Sequence, residues 1–380
     1  MTVAPGLSDY GGIWPRLDDP APYGAHVFQS AELLQAWGDT IGVARQVTPC
    51  FIHVATAAGA PLLLVPMGIE SRRGVRILTF LDAGIADYNV PVVFPGAGGI
   101  DAARMQRLWG QICAALPPFD LAILEKVPAS VGATPNPFRF LAPMSSSPSG
   151  HLLALGGDWD AFVASRLRRR QDSRRKRRRL AEVGAIALHV ARTEEEAAPL
   201  FAAMVRQKRR RFMETRGVDG FERPGYAAYF RLMTDRLLAS GHVHLAGLLA
   251  GDDIVATHWG LVAWERFYFL MPTYEADKWA RYSPGRLLIE ELIAWCYRHG
   301  LRQFDFGVGD MEYKNDFGAT AVPLFRGLLP RTAAGHAYAS WLRLRRAAGA
   351  TAPGQLVRRA RDRGRVARAS RSSDARSRST

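Results

Sequence analysis

The stretch Phe304-Asp305-Phe306-Gly307-Val308-Gly309-Asp310-Met311-Glu312-Tyr313-Lys314 concentrates groups able to do chemistry. An apolar, strand-like run ends in Gly-x-Gly, and an acid, a phenol and an amine follow at once. Ionisable groups crowded just past a core strand are typical of a site and atypical of a plain turn. Lys314 is a cation able to stabilise developing negative charge. Asp310 and His258 are the candidates to accept a proton. His258 lies in the alternating run 254–263, where a hydrogen-bonded core histidine is the competing reading. Asp305 reads as a residue that satisfies neighbouring backbone inside the sheet.

Upstream stands Tyr282-Ser283-Pro284-Gly285-Arg286-Leu287. Ser283 suits a helix cap, and Pro284 suits the first helical position. Gly285 lets backbone approach a ligand closely. Free N–H groups at a helix start attract an anion such as a pyrophosphate, and Arg286 adds a mobile charge. An ordinary capped helix is the alternative. His242 and His244 alternate on one strand, but no third metal ligand lies nearby in sequence. G-x-S-x-G, Walker A, HExxH and EF-hand patterns are absent.

The elements that must position these groups follow from periodicity. A helix starts at Ser30. Strand-like runs cover 45–55, 62–69 and 75–81, a helix covers 101–116, and another strand covers 120–124. Residues 128–150 collect prolines and serines and read as a linker. In the second half a helix starts at Asp158, and 185–191 reads as a strand. Thr193 and Glu196 form a capping box for a helix to about Phe212, and 225–240 is another helix. Runs 242–250, 254–263 and 266–271 read as an antiparallel meander. Residues 284–299 form an amphipathic helix, and 303–307 a buried strand. The expected division is an irregular segment 1–25, a domain 26–127, the linker 128–150, a domain 151–340 and an Arg-rich disordered tail 341–380.

Charge is uneven. The chain has 50 Lys+Arg against 35 Asp+Glu, a formal +15. All of the excess sits in 166–179 and 341–380, and the remainder is slightly acidic. The run 166–179, with Arg174, Arg175, Arg177 and Arg178, has three readings. It is a solvated helix face, a site for an anionic acceptor or membrane surface, or a nucleic-acid contact. No RNP, KH or zinc-finger pattern accompanies it, so nucleic acid is the least favoured. Cys50, Cys113 and Cys296 share no CxxC or zinc spacing, which fits a reducing compartment. Neither a secretory signal nor an apolar run of membrane-spanning length is evident, so a cytoplasmic chain is expected, peripheral at most to the inner membrane face.

The order strand, Tyr-Ser-Pro-Gly-x-Leu-Leu helix, Asp-Phe-Gly-x-Gly-Asp strand end and Tyr-Lys-x-x-Phe-Gly resembles the CelD/BcsL-type branch of the GNAT acyltransferase superfamily. That branch is similar to the Fem-type tandem-GNAT aminoacyltransferases. The resemblance is specific over 151–330 and rests on the α/β pattern alone over 25–150. It implies an α/β (α+β) fold of two tandem GNAT-like domains, each a mixed, largely antiparallel sheet flanked by helices. It implies that Tyr282 to Leu287 hold the pyrophosphate of acetyl-CoA or another acyl-CoA, although the usual Gly/Ala at the last loop position is here Leu287. It implies that the Tyr313-Lys314 pair lies at the reacting carbonyl. The expected activity is acyl transfer, without a metal, to an amine or hydroxyl of an amino sugar, cell-envelope saccharide or lipid-linked precursor. Aminoacyl transfer from aminoacyl-tRNA and a non-catalytic scaffold in envelope polysaccharide synthesis are the alternatives.

Overall fold

From Leu62 to Ile69 no charged residue interrupts the chain, and this run forms a strand buried on both faces. It belongs to the first of two halves. The structure, a computed structural model, describes residues 1–10, 12–19 and 24–350. The first half comprises β1 (Thr2–Ala4), α1 (Ala31–Trp37), β2 (Thr48–Ala55), β3 (Pro61–Arg72), β4 (Val75–Phe80), β5 (Val92–Val93), α2 (Ala102–Ala115), β6 (Leu121–Pro128), β7 (Ser130–Val131), β8 (Thr134–Pro135) and β9 (Met144–Ala154). The second comprises α3 (Trp159–Ser165), α4 (Arg170–Ala181), β10 (Ile186–Val190), α5 (Glu194–Arg216), α6 (Tyr226–Leu237), β11 (Val243–Ala250), β12 (Asp253–Ala263), β13 (Arg266–Tyr268), β14 (Thr273–Tyr274), α7 (Pro284–Arg298), β15 (Gln303–Val308), β16 (Thr320–Pro330) and α8 (Ala333–Ala350).

The halves repeat one plan. An antiparallel meander, β2-β3-β4 or β11-β12-β13, is followed by a helix, α2 or α7. The helix returns the chain to a strand parallel to the meander's last one: β6 beside β4, and β15 beside β13. Among the described residues, fourteen strands form one sheet, mostly antiparallel and flanked by helices. Its main path is β1-β2-β3-β4-β6-β16-β9-β15-β13-β12-β11-β10.

The halves are joined by exchange of their last strands. β9 leaves the first half and pairs with β15 of the second; β16 pairs with β9 and then with β6 of the first. Residues 128–150, expected as a linker, therefore hold the β7–β8 hairpin and the start of a central strand. Their prolines and serines mask a strand because local composition does not encode a partner supplied by residues 320–330. The expected irregular segment 1–25 contributes β1, which pairs with β2. Of the Arg-rich tail, α8 reaches Ala350, and 351–380 lie outside the described residues.

One core lies between the halves and gathers α1, α5 and α6; a second lies under α2; a third packs α3, α4 and α7 on the C-terminal strands. All three cysteines are free and buried. No helix among the described residues is long and apolar enough to cross a membrane.

Candidate active site

β13 and β15 run parallel for only three registers, ending at Tyr268 opposite Asp305. The Phe269 N–H still donates to the Asp305 carbonyl at 2.8 Å. Beyond it the strands part. Met271 bonds Trp259, and β14 turns onto β12. β15 continues to Val308 against Gly150 of β9. The strands splay into a wedge, and on the β15 side of it the Gly307 N–H and carbonyl are taken by the side chains of Asp305 and Lys314.

Strand alternation sorts the side chains of β15. Phe304 and Phe306 enter the core beneath α7. Asp305 and Gly307 face the first half. The Asp305 carboxylate accepts from the Tyr88 hydroxyl and from the Gly307 N–H, both at 2.9 Å, and lies 3.6 Å from Arg266. Arg266 in turn sits 3.2 Å from the His26 ring, which stacks on Tyr88. Burial pushes the Asp305 carboxyl up against the pull of Arg266. Gly307 has φ +66, and a Cβ there would fall 2.2 Å from the Asp87 carboxylate. Only glycine admits both the conformation and the neighbour.

Lys314 is fully buried, and its ammonium donates to the Gly307 carbonyl at 2.9 Å. Burial pulls its pKa down to about 8, opposed by Asp87, Asp305 and Asp310. Burial pushes the half-buried Asp87 up to about 7, with Lys126 the largest opposing influence. Asp310 accepts from the Ser149 N–H at 3.0 Å and lies 3.2 Å from His151 Nε2. Tyr313 packs against Phe306, and burial pushes its phenol up to about 12. His258 is placed otherwise. It is stacked between Phe267 and Phe269, neither ring nitrogen has a partner, and burial holds it neutral. It shares no hydrogen bond with Lys314 or Asp310.

At the start of α7, Ser283 takes φ 51 and makes no side-chain cap. Its hydroxyl accepts from Lys176 of α4 at 2.8 Å. Pro284 occupies the first helical turn, and Gly285 faces the Tyr274 ring. Tyr282 and Leu287 are core residues. Arg286 is not the expected mobile charge. It bonds Ser173 at 2.9 Å and Asp316 at 3.0 Å, pairs with Glu290 at 3.1 Å and meets the Arg168 carbonyl. The exposed cations nearest this helix start in sequence are Lys278 and Arg281. On α4, Arg174, Arg175 and Arg178 are exposed, whereas Arg177 is tied to Glu291.

Residues 168–315 match the family described as acetyltransferase (GNAT) domain. This stretch is a GNAT domain. It spans α4 to Lys314 and so contains the wedge, the start of α7 and the buried lysine. Among solved structures, the fold is similar to FemX (12% identity, 79% of this chain and 92% of that one, TM-score 0.52). It is also similar to L-PGS from Bacillus licheniformis (12%, 83% and 94%, 0.46) and to a tandem GNAT protein from the clavulanic acid biosynthesis pathway (12%, 75% and 83%, 0.40). No curated protein matches the chain.

Three residues beside the GNAT domain's strand end lie outside the domain and escaped sequence reasoning: Asp87, Tyr88 and His151. Nothing in Ala86-Asp87-Tyr88-Asn89 signals a partner 217 residues away. The first half has a parallel pair of its own, β4 and β6, which ends at Thr79 opposite Ile123. There Lys126 binds Asp82 at 2.8 Å and the Ala86 carbonyl at 2.6 Å, and Asn89 donates to the Glu125 carbonyl at 2.9 Å. Among the described residues no group of three or more His, Cys, Asp or Glu is arranged to hold a metal ion.

Proposed function

We propose that the protein moves an acetyl or other acyl group from acyl-CoA to an amine or hydroxyl of an amino sugar or cell-envelope saccharide precursor. The observation that carries this reading is the wedge of the GNAT domain, with a buried lysine against one of its strands. The splay where β13 and β15 part leaves a cleft that suits the extended, amide-bearing arm of a coenzyme A thioester. The start of α7 suits its pyrophosphate, through the segment Tyr282 to Leu287. The exposed Lys278 and Arg281 supply the charge there, since Arg286 is committed to Asp316 and Glu290, and Lys176 to Asp172.

Lys314 is the cation for the developing oxyanion, and Tyr313 lines its approach. A buried ammonium already held by Gly307 costs little reorganisation when negative charge appears nearby. Asp310, paired with His151, is the base candidate at the strand end. His258 serves the core. The exposed arginines of α4 support an anionic acceptor or membrane surface as the partner.

Calorimetry with acetyl-CoA, followed by thiol release in the presence of amino sugars, tests the reading. Binding with acceptor-dependent thiol release is the expected result. Failure of acetyl-CoA and longer acyl-CoA thioesters to bind removes it.

A further inference from the structure

A cavity of about 70 Å³ lies between the halves, lined among others by Phe28, Asp87, Tyr226, Tyr229, Phe230 and Trp259. We infer that it is the acceptor subsite of the acyltransferase, built for a protonated primary amine, and that Asp87, a residue outside the GNAT domain, takes the amine's proton in place of Asp310, which does not line the cavity. The inference rests on the acyl-transfer reading.

Size and chemistry agree. At about 70 Å³ the cavity has room for a small head group. Its aromatic residues meet a single acid. Phe230 stands edge-on to Trp259 at 4.7 Å and to Tyr226 at 5.0 Å, so the wall is preformed. A carboxylate among aromatic rings suits a cation, through charge pairing and the ring quadrupoles. Lys126 is engaged with Asp82 and the Ala86 carbonyl, and Lys314 with the Gly307 carbonyl. Arg223, bonded to the Gly220 carbonyl, lies over the Tyr226 ring at 3.7 Å and shows that the lining rings accept a cation.

Position agrees as well. Leu270 and Met271, which also line the cavity, lie just past the point where β13 leaves β15. Asp87 rests on Gly307 of the other strand. An amine in the cavity therefore borders the wedge proposed for the thioester. Its ammonium gives one proton to Asp87, and its lone pair attacks the thioester carbonyl carbon. As the N–C bond forms and the C–S bond breaks, the second proton passes to the departing thiolate, and Asp87 releases the first to solvent. Asp87 faces Lys126, Asp305 and Lys314, and its carboxyl near neutrality fits a group that accepts and returns a proton.

The test separates the cavity from the reaction. Methylammonium chloride is titrated into the full-length protein without acyl-CoA, with Trp fluorescence and calorimetry as readouts and methanol as the neutral control. Saturable binding of methylammonium over methanol is expected, weakened about tenfold or more in the isosteric Asp87→Asn and several-fold in Trp259→Leu. Equal binding in Asp87→Asn, or no binding to wild type, overturns the assignment whatever the outcome with acetyl-CoA. If acetyl-CoA fails while methylammonium binds, the acyl-transfer reading falls and the cation site stands. In thiol-release assays, Asp87→Asn is expected to lower kcat with amines and to displace the acidic limb of the pH profile. Turnover with alcohols alone overturns the proposal.

Discussion

The Lys314 ammonium lies 2.9 Å from the Gly307 carbonyl, seven residues back along the chain and on the last strand of the wedge. One hydrogen bond thus fixes the only formal charge that the Tyr313-Lys314 pair brings to the strand end. Lys314→Met keeps the stem and removes the charge. It is expected to lower kcat by roughly 10²–10³-fold with little change in either KM, the signature of a contact made in the transition state. The pH dependence has a definite sign. With a pKa of about 8, the cation is lost as pH rises through 8, so kcat falls on the alkaline side. A rate that climbs through that range would assign Lys314 as a base instead.

His244 and His258 are adjacent in the third core, 5.7 Å apart, with all four ring nitrogens unpartnered. Burial lowers His244 to about 3 and His258 well below its usual value. Between those values and about 6.5 the unfolded chain binds the extra protons. Stability therefore falls as pH drops below about 6.5, and the loss continues toward pH 3. His244→Phe and His258→Phe are each expected to flatten denaturant midpoints measured between pH 7 and 4. An unchanged slope would place the acid sensitivity elsewhere.

Lys126 and Asp82 hold the chain across the end of β4 and β6. Lys126→Met leaves Asp82 without its ion pair in a partly buried position, a loss on the order of 3 kcal/mol. Thermal unfolding is expected to shift accordingly. The Asp82–Asn89 turn that carries Asp87 and Tyr88 loosens with it, so acceptor KM should rise more than acyl-CoA KM. Equal effects on both would mean that the turn does not serve the acceptor side.

The four arginines singled out on α4 divide into two kinds. Replacing Arg174, Arg175 and Arg178 together by Gln is expected to weaken binding to vesicles containing anionic lipid at least tenfold and to flatten its salt dependence. Arg177→Gln breaks the pair with Glu291 of α7, and is expected to lower thermal stability while leaving vesicle binding near wild type. If vesicles bind neither protein, the helix face is simply solvated.

Local grammar carried much of the fold. The Asp101 cap bonds the Arg104 N–H at 2.7 Å, and the capping box survives with Thr193 on Glu196 and the Glu196 carboxylate on the Arg192 N–H. The meander from β11 to β13 falls where the turns put it, with Trp264 and Glu265 both at positive φ. Caps and turns are settled within a few residues, so sequence displays them. Ser30 and Ser283 mark helix starts without capping them, and Arg169 at φ 58 breaks the basic stretch between α3 and α4. The less legible features are long-range: β9 seated between β15 and β16, and Asp87 pressed on Gly307. Register between distant segments is set by whole faces meeting, and no short pattern records it.

The strand exchange has a consequence for how the protein is made. β6 emerges from the ribosome by Pro128, but its neighbour β16 ends at Pro330. At ~5–20 residues per second the wait is roughly 10–40 s. Until then β6 and β9 each present a bare edge, and bare edges recruit other strands. The first half therefore stays open at this edge until roughly two hundred further residues have been made, and the slower their synthesis, the longer that edge is exposed to the wrong partner.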